Sequence, residues 1–201
     1  MQPDCEPGTA DGKKDERDDP ERQPILVELV DDQGAKTGVL EKIAAHQDPG
    51  HLHRAFSVFL FDPYDRLLLQ RRALTKYHSP GVWSNSCCGH PYPDESPFVS
   101  AAGRTVTELG VPPTELREAG TVRYRHLDVT TGLVEREYNH LFVGLVRQPL
   151  RPHPQEVSDT AFVTPDKLRA LRSSHPFSAW FDTVLDAARP AIRSLTNTSD
   201  W

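Results

Sequence analysis

Ser84-Asn85-Ser86-Cys87-Cys88-Gly89-His90-Pro91-Tyr92-Pro93 gathers two thiols, an imidazole and a flexible glycine into one short stretch, with Trp83 just before it. The chain holds 3 cysteines in 201 residues, so two standing side by side point to chemistry rather than packing. If the stretch is a strand, Cys87 and Cys88 point to opposite faces, and at most one lines a given pocket. The other is then a small core residue. The odd cysteine count, with Cys5 in a polar segment, fits free thiols in a reducing cytoplasm.

Downstream, Ser96 is placed to cap a helix that carries Pro97 at its first position, runs to Leu109 and stops at Gly110 before Pro112-Pro113. Upstream, Ala55-Phe56-Ser57-Val58-Phe59-Leu60-Phe61 predicts a buried strand. Asp62-Pro63-Tyr64-Asp65 then turns into a second strand, Leu67-Leu68-Leu69-Gln70. Ile25 to Val30 reads as a strand that turns at Asp32-Gln33-Gly34 into another, and Tyr138 to Val146 follows a Thr130-Thr131-Gly132 turn. Pro165 to Leu171 and Phe177 to Ala188 predict two helices. Strands first, a helix between them and helices last make an α+β fold, a mixed sheet sandwiched between helices. Residues 1–22 are highly charged and nearly devoid of large apolar side chains, which predicts a disordered tail. A single domain is expected over 23–190, with a second tail over 191–201.

The formal net charge of −6 argues against a nucleic-acid partner, which would require a basic face. An anionic substrate would need a local basic pocket or a metal. No apolar run reaches the roughly 18 to 20 residues that span a bilayer, and no secretory signal is visible, so a cytoplasmic protein without a membrane partner is expected.

Five features carry potential chemistry: His46 and His53 around Asp48-Pro49-Gly50; Cys88 with His90; Glu135 with Glu137; Arg71, Arg72 and Lys76; and Glu95 with Glu108. Glu135 and Glu137, two apart on extended chain, project from one face. Two such carboxylates beside three imidazoles repel each other unless a cation compensates, and the set suits Mg, Mn or Zn. Each feature also has an ordinary reading. The histidines, with His51 indistinguishable between them, suit a solvated loop. The glutamates suit an exposed strand face, the arginines a strand end, and Trp180-Phe181 a helix core. Their joint occurrence weighs against five coincidences.

Arg71-Arg72-Ala73-Leu74, Pro80-Gly81-Val82-Trp83-Ser84-Asn85-Ser86-Cys87-Cys88-Gly89-His90-Pro91 and Glu135-Arg136-Glu137 resemble the type I isopentenyl-diphosphate Δ-isomerases. Ala44-Ala45-His46 and Leu52-His53-Arg54-Ala55-Phe56-Ser57 do as well, and the likeness runs in consistent order over about residues 25 to 185. It implies the Nudix fold. Of the Nudix box, Gly89, Glu95, Glu108, Gly110 and Val111 fit, while Gly103, Arg104, Thr105 and Thr107 replace an arginine, a glutamate, an apolar residue and a glutamate. Two carboxylates that hydrolases of this fold use for metal and water are thus missing.

The resemblance further implies a metal site of His46, His53, His90, Glu135 and Glu137, taking Mn2+, Zn2+ or Mg2+. Cys88 would be the catalytic thiol, Glu137 the catalytic carboxylate and Tyr124 the active-site tyrosine. Lys42, Arg72 and Lys76 would contact a diphosphate, Glu108 would help Mg2+ bind it, and Trp180 would cover the hydrocarbon part. The activity implied is interconversion of isopentenyl and dimethylallyl diphosphate by a 1,3-allylic proton shift, in a monomer. Two competing readings are a Nudix diphosphohydrolase and a non-enzymatic zinc module on Cys87, Cys88, His90 and His46.

Overall fold

β3 (His53–Phe61) is buried along nearly its whole length, as a strand covered on both faces must be. Phe56, Val58 and Leu60 share one core with Ala101 and Leu109 of α2 (Pro97–Leu109). Phe59 and Phe61, pointing the other way, share a second core with Phe181, Val184, Leu185 and Ala188 of α4 (Phe181–Thr196). The period-two alternation of one strand therefore fixes a helix on each side of the sheet.

β3 pairs in parallel with β8 (Val134–Leu145), from His53 opposite Glu137 to Phe61 opposite Leu145. It pairs antiparallel with the short β6 (Cys87–Gly89), Ser57 opposite Cys88. β1 (Leu26–Val30), β2 (Lys36–Glu41), β4 (Leu67–Arg72), β5 (Trp83–Ser84), β7 (Thr114–Leu127) and β9 (Val157–Val163) complete a mixed sheet of nine strands among the described residues. α1 (Lys42–His46) and α3 (Pro165–Ser174) stand at the ends of β2 and β9. The computed structural model describes residues 24–76, 78–196 and 198–201; the tail expected over 1–22 lies outside them.

The expected α+β sandwich is the one formed. α2 spans the predicted residues, although Ser96 makes no side-chain cap bond. Gly110 closes it at φ 71°, where an added Cβ would lie 2.5 Å from the Arg151 carbonyl oxygen, so only glycine fits. Two expectations are corrected. The last helix begins at Phe181 rather than 177, because Pro176 to Ser178 run beside Trp83: the Trp83 amide donates to Pro176 O and the Ser178 amide to Trp83 O. The segment 191–201 is no tail among the described residues. α4 continues past Pro190 to Thr196, Ile192 is fully buried, and Trp201 packs edge-on against Phe61 with ring centroids 5.4 Å apart. Burying these side chains offsets the amide hydrogen bond that Pro190 forgoes.

Candidate active site

Three neighbouring strands lay the site out in a row. The register puts His53 on β3 opposite Glu137 on β8, and Glu137 opposite Tyr124 on β7. Glu135 lies two residues back on the same face. On the other side of β3, Cys88 faces Ser57. Cys87 points into the core beneath α2 and Cys88 toward the other core, beside the cavity, as two successive strand residues must. A zinc module holding both thiols is therefore excluded.

His46 enters from α1, whose first turn is capped by the Glu41 carboxylate accepting from the Ala44 amide at 2.8 Å. The turn from α1 into β3 needs Gly50 at φ +79°, since a Cβ there would come within 2.7 Å of Val134. In both His46 and His53, Nδ1–H donates to a backbone carbonyl, Lys42 O at 2.6 Å and His51 O at 2.8 Å. That fixes the rings with the Nε2 lone pairs facing inward. The ring of His51 itself lies in the exposed loop, which separates it from its two neighbours.

The ligand atoms of His46, His53, His90, Glu135 and Glu137 all lie within 4.8 Å of one another. Nε2 of His53 and of His90 are 3.1 Å apart, and His90 Nε2 is 3.1 Å from Glu137 Oε1. His46 Nε2 and Glu135 Oε2 approach to 3.2 Å, yet both are buried without a hydrogen bond. Neighbouring ligands around one cation with bonds of about 2.0–2.2 Å are separated by about 3 Å, so these spacings suit a single divalent ion. Burial pushes His53 down to about 4, and His90 well below its usual value, so neither carries a proton that would compete with a cation at neutral pH.

The two carboxylates are driven apart. Burial and the adjacent Glu135 push Glu137 well above the usual carboxylate range. Glu135 is itself buried, yet the His46 and His78 imidazoles beside it hold it well below that range. Tyr124 donates to Glu137 Oε2 at 2.5 Å, and Asn139 Nδ2 donates to the same oxygen at 2.9 Å. Burial raises the Cys88 thiol to about 11, against the pull of Arg72, so it is protonated at neutral pH.

All of these groups but His53 line one cavity of about 530 Å³, whose lining also carries the cations Lys42, Arg72, Lys76 and Arg104. Arg104 is a contributor the sequence reading counted only as a box departure. Arg104 and Lys76 both donate to Glu156 Oε2. Glu108 stands apart from the five-residue cluster, accepting from Arg104 at 2.8 Å and from Gln70 at 3.1 Å. Arg71 is turned away, its Nε donating to Gly81 O, and Glu95 accepts from Ser100 at the cavity rim. Trp180 is buried at the cavity wall, with the Arg72 guanidinium 5.7 Å from its ring. The sequence reading missed Asn139 and His78. Asn139 sits on the same strand face as Glu135 and Glu137, which was the available signal; His78 had none, because it lies in an irregular segment.

The NUDIX domain family model matches residues 51–181. The isopentenyl-diphosphate Delta-isomerase of Streptomyces avermitilis is 66% identical over 177 residues, 88% of this chain and 90% of the relative. That of Nocardia farcinica is 45% identical over 169 residues, covering 83% and 96%. Among solved structures, DR0079 from Deinococcus radiodurans superposes with a TM-score of 0.64 at 16% identity, over 82% of this chain and 98% of that one. The MutT protein from Methanosarcina mazei gives 0.55 at 19% identity, over 70% and 95%. These two share the fold alone. With two of its box carboxylates replaced and a row of His, Glu and Tyr across three strands, the chain belongs to the isopentenyl-diphosphate Delta-isomerase family of NUDIX-domain proteins.

Proposed function

We propose that in this isomerase Cys88 and Glu137, on strands that flank β3 from opposite sides, carry the two proton transfers between isopentenyl and dimethylallyl diphosphate. The observation that supports this most is that both side chains face one cavity, with Tyr124 bonded to Glu137. An unactivated alkene is a poor base, so its protonation needs an acid in a site that excludes water. Adding a proton to the terminal carbon uses the π pair and leaves a tertiary cation. Losing a proton from the carbon beside the diphosphate-bearing methylene returns that pair as the new double bond. No atom is gained or lost, and one group must give a proton while the other takes one.

Glu137 fits a proton-carrying role because it faces the cavity and both Tyr124 and Asn139 donate to its Oε2, ready to support the anion left when it gives up a proton. His46, His53, His90, Glu135 and Glu137 would hold a divalent cation, Mn2+, Zn2+ or Mg2+, and a cation so placed makes a bound carboxyl a stronger acid. Lys42, Arg72 and Lys76 grip the diphosphate, with Mg2+ accompanying it at Glu108. Trp180 covers the hydrocarbon and offers its π face to the tertiary cation, an effect of about 0.5 to 2 kcal/mol. The enzyme acts as a monomer in the cytoplasm; no helix among the described residues is long and apolar enough to cross a membrane.

Proton NMR of isopentenyl diphosphate with the protein, Mg2+ and Mn2+ in deuterated buffer tests the assignment. Wild type should build the dimethylallyl signal with deuterium incorporated, and Glu137→Gln should not. Phosphate release without isomerisation would instead favour a hydrolase.

A further inference from the structure

His78 lines the same cavity but has no part in the roles above. It is buried between two carboxylates, Nδ1 2.8 Å from Glu135 Oε1 and Nε2 3.1 Å from Asp128 Oδ2. Nδ1 lies within hydrogen-bonding distance of Glu135 Oε1, and the approach of Nε2 to Asp128 is an electrostatic contact. Asp128, in the connection between β7 and β8, is itself anchored. Its Oδ2 accepts from the Ser79 amide at 3.1 Å and the Ser79 hydroxyl at 2.8 Å, and its Oδ1 accepts from the Thr130 amide at 2.9 Å. Ser79 adopts φ 45°, a left-handed conformation that a residue with a Cβ holds only when its surroundings impose it. The two bonds from Asp128 supply that constraint, and they set the backbone from which His78 reaches Glu135.

The effect falls on Glu135. Its Oε1 faces His78, which leaves Oε2 directed at His46 Nε2, 3.2 Å away and without a hydrogen bond. The face of the His78 ring meets Trp180 at 5.8 Å between centroids, tilted 34°. One imidazole thus touches a member of the metal cluster and the aromatic wall of the cavity, with Asp128 behind it.

We propose that His78, backed by Asp128, is a positioning residue of the metal site that holds the Glu135 carboxylate with Oε2 turned into the cluster. The proposal rests on the reading of His46, His53, His90, Glu135 and Glu137 as a cation site. It distinguishes His78 from a packing residue, because a packing residue would govern stability and leave cation affinity alone. Partners of this kind typically alter metal affinity by about 10- to 100-fold when removed.

The test is titration of Mn2+ into the metal-free full chain, followed by electron paramagnetic resonance, for wild type and four variants: His53→Asn, His78→Phe, Asp128→Asn and the His78→Phe/Asp128→Asn double. Thermal unfolding without metal reports on the fold. Wild type should bind one tight Mn2+ and His53→Asn should lose it. His78→Phe should weaken binding by about 10- to 100-fold. Asp128→Asn should weaken it in the same direction, and the double variant should be no worse than His78→Phe, since both act through one contact. Wild-type affinity in a folded His78→Phe protein overturns the proposal while leaving the metal site standing, as do losses that multiply in the double variant. If His78→Phe does not fold, unchanged affinity in Asp128→Asn overturns it alone. No saturable Mn2+ binding by wild type, or binding kept in His53→Asn, overturns the metal site and this proposal with it.

Discussion

Adjacent cysteines give the sharpest contrast at the scale of single residues. Cys87 is fully buried under α2 and Cys88 faces the cavity. Cys88→Ala should lower kcat by about 10²- to 10⁴-fold, the usual worth of one proton-transferring group, with the melting temperature nearly unchanged. Cys87→Ala should show the reverse, a loss of about 1 kcal/mol in thermal unfolding with kcat/KM kept. Lys76 offers a pH signature. Burial, opposed by Glu108 and helped by Arg72, Arg104 and Lys42, pushes it down to about 8. A lysine is charged below its pKa, so the proposed grip on a diphosphate is complete well below pH 8 and fades as pH rises through 8. The profile of kcat/KM should therefore fall above pH 8, and Lys76→Arg should move that limb upward. Nearly all the site residues were legible as types in the sequence, because three histidines, a cysteine and two glutamates at β spacing carry unusual chemistry. Their grouping was not legible from spacing: His46 and Glu137 are neighbours only through the sheet. His78 was invisible for the same reason, since its partners Asp128 and Glu135 lie far along the chain.

At the scale of elements, the turn from β5 into β6 shows how a motif becomes geometry. Asn85 is completely buried, and its Nδ2 donates to Cys87 O at 2.6 Å and to Val58 O at 3.3 Å. Ser86 Oγ donates to Leu68 O at 2.5 Å and accepts from the Leu60 amide at 2.8 Å. This clamp sets the register in which Cys88 faces the cavity. Asn85→Ala should cost about 1–3 kcal/mol, because two carbonyls lose a buried donor, and should lower kcat as Cys88 drifts. A differential scan and a kinetic assay on one preparation would check both. β3, β4 and α2 were readable because apolar runs and helix punctuation are local signals. β7 was not: Thr114–Leu127 has no apolar run and, among the described residues, pairs only with β8, so its strand character comes from its partner.

The molecule as a whole closes through its C-terminal residues. The Trp201 indole N–H donates to Asp65 O at 3.0 Å, and Arg193 Nε donates to Trp201 O at 2.6 Å. Trp201→Ala should cost about 3 kcal/mol and lower Tm by about 6–12 °C, with kcat/KM preserved because Trp201 lines none of the catalytic cavity. The sequence alone suggested a tail here, since Arg189-Pro190 and the polar run after it resemble an ending; the continuation of α4 to Thr196, the burial of Ile192 and the pairing of Trp201 with Phe61 show otherwise.

The row formed by His53, Glu137 and Tyr124 has a consequence for synthesis. Its members, with His46, His90 and Trp180, are spread from α1 to the approach of α4. Read from the N-terminus, the proposed cation-binding set is incomplete until Glu137 has been added, and the proposed hydrocarbon wall waits for Trp180. A nascent chain therefore brings together all five residues of the cluster before Trp180, and with it the complete cavity, exists.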